Sequence, residues 1–329
     1  MTFSRSKSSM AFSSYFIRKF LRSPREALHT IRVSEELSKY ITWKLVQILE
    51  EYGILDSLQG KPWWEHADKD LAKYVIDLLV EEGYAKWVGD RMKLVSRPER
   101  PHVTTVEASD LIPAIDYALS NLPRALETGE KPSLTEARAP YAKLLGNLAY
   151  RLTIEIAVEE TGLNRLPENA KVVDVLPRVG TSTVALLEMT RTHVIAAEPQ
   201  PENISVIERT VRLMGQQSRV TLVRYLPEEL KLQENVDAAF MADILHWVFN
   251  PRLALSAVRE CLKNGGFLAI LQSVYSSAGL VTCLPDYLLG AYRPPPQSSE
   301  LRELLEESGF SVKKWLESSG VVVARAEIG

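Results

Sequence analysis

The sequence predicts an α/β protein, with a carboxyl-terminal parallel sheet covered by helices on both faces and a smaller helical module before it. The main observation is that short apolar runs alternate with segments of helical periodicity from Lys171 onward. A second observation is that two amphipathic helices and a short hairpin precede this region. The predicted domains are a basic arm (1–32), a winged-helix-like domain (33–100), a helical connector (101–170) and the α/β domain (171–329).

Each element of the α/β domain has its own local signal. Strands are expected where short apolar runs lie between turn residues, at 172–176, 193–197, 219–224, 236–242 and 267–274. Helices are expected where apolar residues recur every three or four positions, at 181–189, 201–214, from Asn250-Pro251 to Gly265-Gly266, and at 299–308. Two last strands, 311–317 and 320–326, are joined by Ser318-Ser319, which predicts an antiparallel hairpin at the edge of the sheet.

The amino-terminal module has the order of a winged helix. Helices are predicted at 35–52 and 68–82, and two short alternating segments flank the turn pair Gly89-Asp90. Residues 33–100 hold ten basic and thirteen acidic side chains, which argues against a DNA-reading surface. We therefore expect this module to pack against a second copy of the chain and form a homodimer. A further helix is predicted around 141–160 in the connector.

Composition excludes several classes of protein. The 329 residues include 39 basic and 42 acidic side chains, as in an ordinary globular protein, and no run of about 18 apolar residues predicts a membrane span.

The arm at 1–32 carries a net charge of +6 and is rich in serine, which is typical of a transit peptide, of a segment contacting RNA or anionic lipid, or of a poorly packed terminus. The remaining residues are net acidic, so nucleic acid is not expected as the main partner. Two cysteines, Cys261 and Cys283, suggest reduced thiols and a cytoplasmic setting.

One stretch of the α/β domain resembles a known family. The segments are Asp243-Ile-Leu-His-Trp247, then Asn250-Pro251, and later Leu262-Lys-Asn-Gly-Gly-Phe-Leu268. With the order of elements over about 34–327, they are similar to S-adenosylmethionine-dependent class I methyltransferases, in particular the O-methyltransferases that dimerise through an amino-terminal winged-helix domain. The resemblance implies a Rossmann-like, seven-stranded sheet whose last strand is antiparallel. It also implies S-adenosylmethionine as cofactor.

The cofactor needs a tight turn after the first strand of the sheet and an acid at the end of the next strand, where the ribose hydroxyls bind. Asp174 and Gly180 stand at the first position, and Glu198 at the second. Asp243 is a further candidate for contact with the cofactor, or a plain strand-end carboxylate.

The family pattern has an acid followed by three alternating glycines, and this chain departs from it. Leu176 and Arg178 replace the first two glycines, with Pro177 between them. A side chain at these positions blocks close approach of the backbone, and a left-handed conformation costs a non-glycine residue about 1 kcal/mol or more. The acid expected after the third strand is also missing. The cofactor is therefore expected to bind in a shifted or weaker way, or not at all, and Arg178 either occupies the site or contacts the carboxylate of the cofactor.

His246 is the candidate catalytic residue. It follows the fourth strand, where the related plant-type enzymes carry a histidine that removes a proton from the acceptor hydroxyl. A purely structural histidine is the alternative.

The expected acceptor is a hydroxyl on a small molecule, under a cover formed by residues 275–299. No metal site is expected, because the five histidines lack ligand spacing. A methyltransferase-like scaffold without activity is the alternative function.

Overall fold

A computed structural model of the chain describes residues 24–318 and 320–329, so most of the arm predicted at 1–32 lies outside the described residues. The described residues form two compact units. The helical unit comprises 24–149 and 275–295, and the sheet unit comprises 150–274 and 296–329 without residue 319. The sequence-based boundaries at residues 100 and 170 stay predictions. Among the described helices, none combines the length and apolar character needed to cross a bilayer.

Helices and strands are numbered along the chain. The helices of the described residues are α1 (Pro24–Glu51), α2 (Ile54–Gly60), α3 (Lys69–Glu81), α4 (Val106–Ser120), α5 (Leu122–Thr128), α6 (Leu134–Leu145), α7 (Leu148–Thr161), α8 (Thr181–Met189), α9 (Pro201–Leu213), α10 (Pro251–Cys261), α11 (Ser277–Leu288) and α12 (Ser298–Glu307). The strands are β1 (Ala85–Val88), β2 (Arg91–Leu94), β3 (Lys171–Val175), β4 (His193–Ala197), β5 (Val220–Val223), β6 (Val236–Ala242), β7 (Leu262–Ser273), β8 (Phe310–Ser318) and β9 (Val321–Ile328).

The helical unit contains the two helices and the hairpin that the sequence predicts. The predicted helices at 35–52 and 68–82 correspond to α1 and α3, and β1 pairs with β2 in an antiparallel manner. Gly89 lies in the turn with a φ of 64°, a conformation that glycine adopts without the penalty of a side chain. The winged-helix assignment itself stays a prediction.

The prediction of one helix around 141–160 is wrong. Helix α6 ends at Leu145, and α7 begins at Leu148. The physical reason is local: Gly146 follows the last turn of α6, and the side chain of Asn147 donates a hydrogen bond to the carbonyl of Leu144. Glycine loses more backbone entropy in a helix than other residues, and an asparagine that bonds nearby carbonyls competes with helix continuation.

The sheet unit is built on a seven-stranded mixed sheet with the order β5-β4-β3-β6-β7-β9-β8. Strands β3 to β7 pair in parallel, whereas β9 runs antiparallel to both β7 and β8. This confirms the predicted seven-stranded sheet with an antiparallel last strand. Alternate residues of β3 are buried on opposite faces: Val173 and Val175 belong to one apolar cluster, and Val172 belongs to the other. Both faces are therefore covered, as parallel sheets require.

The strand order reverses at β3. Strand β4 lies on one side of β3 and β6 on the other, so the chain leaves the ends of these strands in opposite directions. Ligands of open α/β sheets bind in the crevice outside the carboxyl ends of the strands at such a point. The loops that follow β3, β4 and β6 are therefore the place to look for a site.

Within the helical unit, Asp68 ties the start of α3 to the segment 275–295. One oxygen of its carboxylate accepts the backbone N–H of Leu71 at 2.9 Å and so caps α3. The hydroxyl of Tyr287 lies 3.1 Å from the same carboxylate, and the Nζ of Lys131 lies 3.4 Å from it. Burial lowers the pKa of Lys131, and the negative charge of Asp68 opposes that shift. Removing Asp68 would leave a largely buried ammonium without this partner.

We predict that Asp68→Ala lowers the free energy of unfolding by about 2–4 kcal/mol, because it removes a helix cap and one partner of a buried ion pair. The matched control is Asp70→Ala, which removes an exposed carboxylate from the same helical turn. Its cost should stay within about 0.5 kcal/mol. Chemical denaturation followed by circular dichroism checks both values, and equal costs for the two variants would contradict this role of Asp68.

Candidate active site

The loop after β3 has a left-handed backbone at every second residue. Leu176 has a φ of 54°, Arg178 a φ of 58° and Gly180 a φ of 90°. These are the three positions at which the related family places glycine. Two of these three left-handed positions thus carry a side chain in this protein. Each of these two conformations costs roughly 1–2 kcal/mol, so contacts elsewhere must hold the loop in this shape.

Gly180 serves the packing of helices. It is buried at the start of α8, and a Cβ added to it would lie 2.8 Å from the Cγ1 of Ile207 in α9. Such a contact is too short for two carbon atoms, so only glycine allows α8 and α9 to approach this closely here. The predicted role of Gly180 in binding the cofactor stays a prediction.

Arg178 fills the space between the ends of β3, β4 and β6. Only 4% of its surface is exposed. Its Nη2 donates a hydrogen bond of 2.8 Å to the carbonyl of Ala242, the last residue of β6, and a further one to the hydroxyl of Tyr150. Its backbone N–H donates to the Oε2 of Glu198 at 2.9 Å. The residue thus links the three strand ends that border the crevice.

Glu198 follows β4, as the sequence predicts for a ribose-binding acid, and it is fully buried with 0% exposed surface. Its Oε1 accepts the backbone N–H of Gln200 at 3.0 Å and the side-chain amide of Asn203 at 3.1 Å. Burial raises the pKa of Glu198 to about 7, although these bonds and the charge of Arg178 act in the opposite direction. Both carboxylate oxygens are therefore already engaged by the protein.

Asp174 is buried near the end of β3 and is turned toward the first turn of α8. Its Oδ2 accepts hydrogen bonds from Ser182 at 2.9 Å and from Thr183 at 2.7 Å. Its Oδ1 has no hydrogen-bond partner among the described residues. Burial raises its pKa to about 6, and the two hydroxyls and the charge of Arg178 lower it. Arg178 therefore acts electrostatically on two buried carboxylates.

Asp243 begins the loop after β6 in a left-handed conformation, with a φ of 56°. Its carboxylate accepts the backbone N–H of Ser273 at 2.8 Å, the hydroxyl of Ser273 at 3.0 Å and the amide of Gln272 at 3.1 Å. These bonds attach the loop to the end of β7. These bonds explain the left-handed backbone of Asp243 in structural terms, because the side chain of Asp243 itself holds the loop in this shape.

His246 is buried in the same loop, with 1% of its surface exposed. Its Nδ1 lies 3.2 Å from the amide nitrogen of Gln272 and 3.9 Å from the nearer oxygen of Asp243. The Oε1 of Gln272 accepts the backbone N–H of Leu245 at 3.1 Å, which fixes the orientation of the amide. The same amide nitrogen also lies 3.1 Å from the Oδ1 of Asp243 and 3.0 Å from the carbonyl oxygen of Ser273, so its two hydrogens face three acceptors.

The structure brings Asp174 and Glu198 together around Arg178, and it places Asp243 and His246 around Gln272. Sequence analysis missed Gln272. Its signal is a polar side chain at the end of the apolar run Leu268-Ala-Ile-Leu271, because a buried strand rarely carries an amide without a bonding partner. Tyr150 was not predicted as a partner of Arg178 either, since 28 positions separate the two residues.

Comparisons with known proteins agree with this architecture. Residues 173–268 match the family model described as a methyltransferase domain. Among solved structures, the chain is similar to the CurJ carbon methyltransferase (TM-score 0.64, 15% identity, 98% of each chain covered). It is also similar to the mitomycin 7-O-methyltransferase MmcR (TM-score 0.55, 15% identity, covering 98% of this chain and 100% of that one). A third is an O-methyltransferase family 2 protein from Planctomyces limnophilus (TM-score 0.55, 13% identity, covering 92% and 96%). No curated protein matches the sequence.

Residues 173–268 thus match a methyltransferase domain, and the sheet unit has the fold of class I methyltransferases, for which the implied cofactor is S-adenosylmethionine, as the sequence predicts. The left-handed loop and Glu198 are the positions at which the sequence predicts contacts with the cofactor. Two features oppose binding in the described conformation: Glu198 has no exposed surface for a ribose, and Arg178 fills the space beside it. In the described conformation Glu198 therefore has no free surface for the ribose of the cofactor.

The raised pKa of Glu198 has a consequence for stability. We predict that the protonated carboxyl of Glu198 contributes to the free energy of unfolding, because the folded state holds its proton more tightly than the unfolded chain does. This contribution is fully present below about pH 4 and is lost as the pH rises toward 7. The loss amounts to about 3 kcal/mol across this interval. Urea denaturation at pH 4.5 and pH 7.5 measures it.

In Glu198→Gln the carboxyl group no longer titrates, so the difference between the two pH values should shrink by that amount. The control Glu208→Gln, which alters an exposed ion pair with Arg212 on α9, should keep the wild-type difference. An identical pH dependence in wild type and Glu198→Gln would refute the shift.

Proposed function

We propose that this chain is an S-adenosylmethionine-dependent methyltransferase acting on a hydroxyl of a small-molecule acceptor. The observation that carries the proposal is that the methyltransferase-domain match includes both the left-handed loop at 176–180 and the buried acid after β4. The choice of oxygen rests on the resemblance at Asp243–Trp247 and on the similarity to two O-methyltransferases. The similarity to a carbon methyltransferase makes carbon the alternative acceptor atom.

A second candidate function is a methyltransferase-like scaffold or regulator without activity. The position of Arg178 favours it, because the guanidinium lies where the crevice would have to be open. The two candidates differ in one measurable property, which is whether the folded protein binds the cofactor at all.

The proposal includes a homodimer formed through the helical unit. Leu28 and Ile31 of α1 and Val106 of α4 are large apolar side chains with exposed surface, and a partner copy would cover them. The proposal also includes a cytoplasmic setting, supported by Cys261 and Cys283, which are buried and form no disulfide.

The proposed role of His246 is to accept the proton of the acceptor hydroxyl when the oxygen attacks the methyl group. The cofactor supplies an electrophilic methyl group when it is bound. The role as base stays a prediction, and a positioning role is the alternative.

The first prediction of this proposal concerns binding. Wild-type protein should bind S-adenosylmethionine and its demethylated product with dissociation constants in the millimolar range or tighter. Calorimetric titration and thermal-shift assays measure this. Glu198→Ala should weaken binding at least about tenfold, because it removes the ribose-binding carboxylate. Flat titrations of the folded wild type with both compounds would contradict the proposal and favour the scaffold.

The second prediction concerns His246. His246→Ala should lower methyl transfer by about 10²–10⁴-fold while cofactor affinity stays within about twofold, because a general base acts on the acceptor rather than on the cofactor. Transfer of labelled methyl groups to a panel of phenols and alcohols measures the rate. His193→Ala, at the amino-terminal end of β4 and so away from the carboxyl ends of the strands, is the control and should retain full activity. Normal turnover by His246→Ala would refute the role as base.

A further inference from the structure

The crevice between β3, β4 and β6 contains two buried carboxylates and one buried cation. Asp174 and Glu198 have no exposed surface, and Arg178 has almost none. A carboxylate removed from water is costly unless a positive charge or several hydrogen-bond donors compensate it. Arg178 contributes its charge to both acids and a backbone N–H to one of them. The protein therefore supplies the positive charge of this crevice from its own chain.

The contacts of Arg178 show that it is held in place. The guanidinium donates to the carbonyl of Ala242 and to the hydroxyl of Tyr150, and its central carbon lies 5.5 Å from the centroid of the Tyr150 ring. The hydroxyl of Tyr150 in turn lies 3.1 Å from the carbonyl of Ala242. These contacts form a closed group of three residues at the end of β6. These contacts hold the guanidinium in a defined position at the end of β6.

S-adenosylmethionine carries positive charge on its sulfonium and on its ammonium group. A cofactor seated between Glu198 and the end of β6 would bring these cations into the space that the guanidinium fills. Two like charges cannot share that space without strong repulsion, and the volume of the arginine side chain excludes the ligand. The guanidinium and the cofactor would therefore occupy the same space beside these carboxylates.

We propose that Arg178 is an internal occupant of the cofactor cleft, which S-adenosylmethionine must displace, so that residue 178 determines the affinity of this chain for its cofactor. This inference rests on the proposed function, since it assigns a competitor to the same cleft. Displacement replaces the charge of Arg178 in the crevice by the positive charge of the cofactor, while the ribose hydroxyls bind Glu198.

The test compares the affinity for S-adenosylmethionine of wild type, Arg178→Gly and Arg212→Ala, by calorimetry on the full chain. Arg178→Gly restores the residue that the family pattern has at this position, relieves the left-handed backbone and empties the cleft. Arg212→Ala removes an arginine from the exposed surface of α9 and is the matched control. We expect Arg178→Gly to bind at least tenfold more tightly than wild type, and Arg212→Ala to bind as wild type does.

Thermal unfolding gives a readout that does not depend on activity. Without ligand, Arg178→Gly should melt below wild type, because two buried carboxylates lose their cation. With S-adenosylmethionine its melting temperature should rise by more than that of wild type. If Arg178→Gly fails to fold, Tyr150→Phe decides the question, since it removes one acceptor of the guanidinium and leaves the arginine present. A two- to fivefold gain in affinity in Tyr150→Phe supports the proposal.

The outcomes separate this proposal from the proposed function. Tighter binding by Arg178→Gly, or by Tyr150→Phe in its place, supports the internal occupant. If wild type binds and the folded variants bind equally or more weakly, Arg178 is not a competitor, and the methyltransferase proposal stands without it. If neither wild type nor the folded variants bind, both proposals are overturned.

Discussion

The sheet unit depends at its centre on the contact of Arg178 with the ends of three strands. Its backbone N–H bonds to Glu198 after β4, and its guanidinium bonds to the carbonyl at the end of β6. The loop that carries it tolerates left-handed conformations at Leu176 and Arg178, and these bonds offset their cost. Two buried carboxylates obtain their positive charge from the same side chain. Arg178 therefore determines the shape of the crevice. It also determines the charge around the two buried acids and the access of a ligand to them.

The fold creates this situation through its strand order. Because the strand order reverses at β3, the loops after β3, β4 and β6 converge on one crevice, in which the carboxylates are buried. Charged groups placed there must find partners inside the protein. In a methyltransferase domain the cofactor is a cation and can provide that partner. In the described conformation of this chain, Arg178 in the loop after β3 provides the positive charge instead. The residue that provides it stands at one of the positions where the sequence departs from the family's glycine pattern.

Much of the architecture was predictable from the sequence because its signals are local. The alternation of apolar runs with helical segments gave β4, β6 and α8 at their observed bounds, and Asn250-Pro251 marked the start of α10. The candidate acids were found for the same reason, since each lies in or directly after a strand. The partners of those acids were not predictable: Tyr150 meets Arg178, and Gln272 meets His246, across 28 and 26 positions of sequence. The break between α6 and α7 was missed because the apolar stripe continues through Gly146.

If Arg178 is the internal occupant, cofactor and guanidinium exclude each other from one cleft. A crystal structure of the wild-type protein grown with S-adenosylhomocysteine tests this most directly, because this product fills the nucleoside part of the cleft. The account predicts that the guanidinium leaves the carbonyl of Ala242 and that the ribose hydroxyls bind the carboxylate of Glu198. A complex in which the product is bound while Arg178 keeps its bonds to Ala242 and Tyr150 would contradict it.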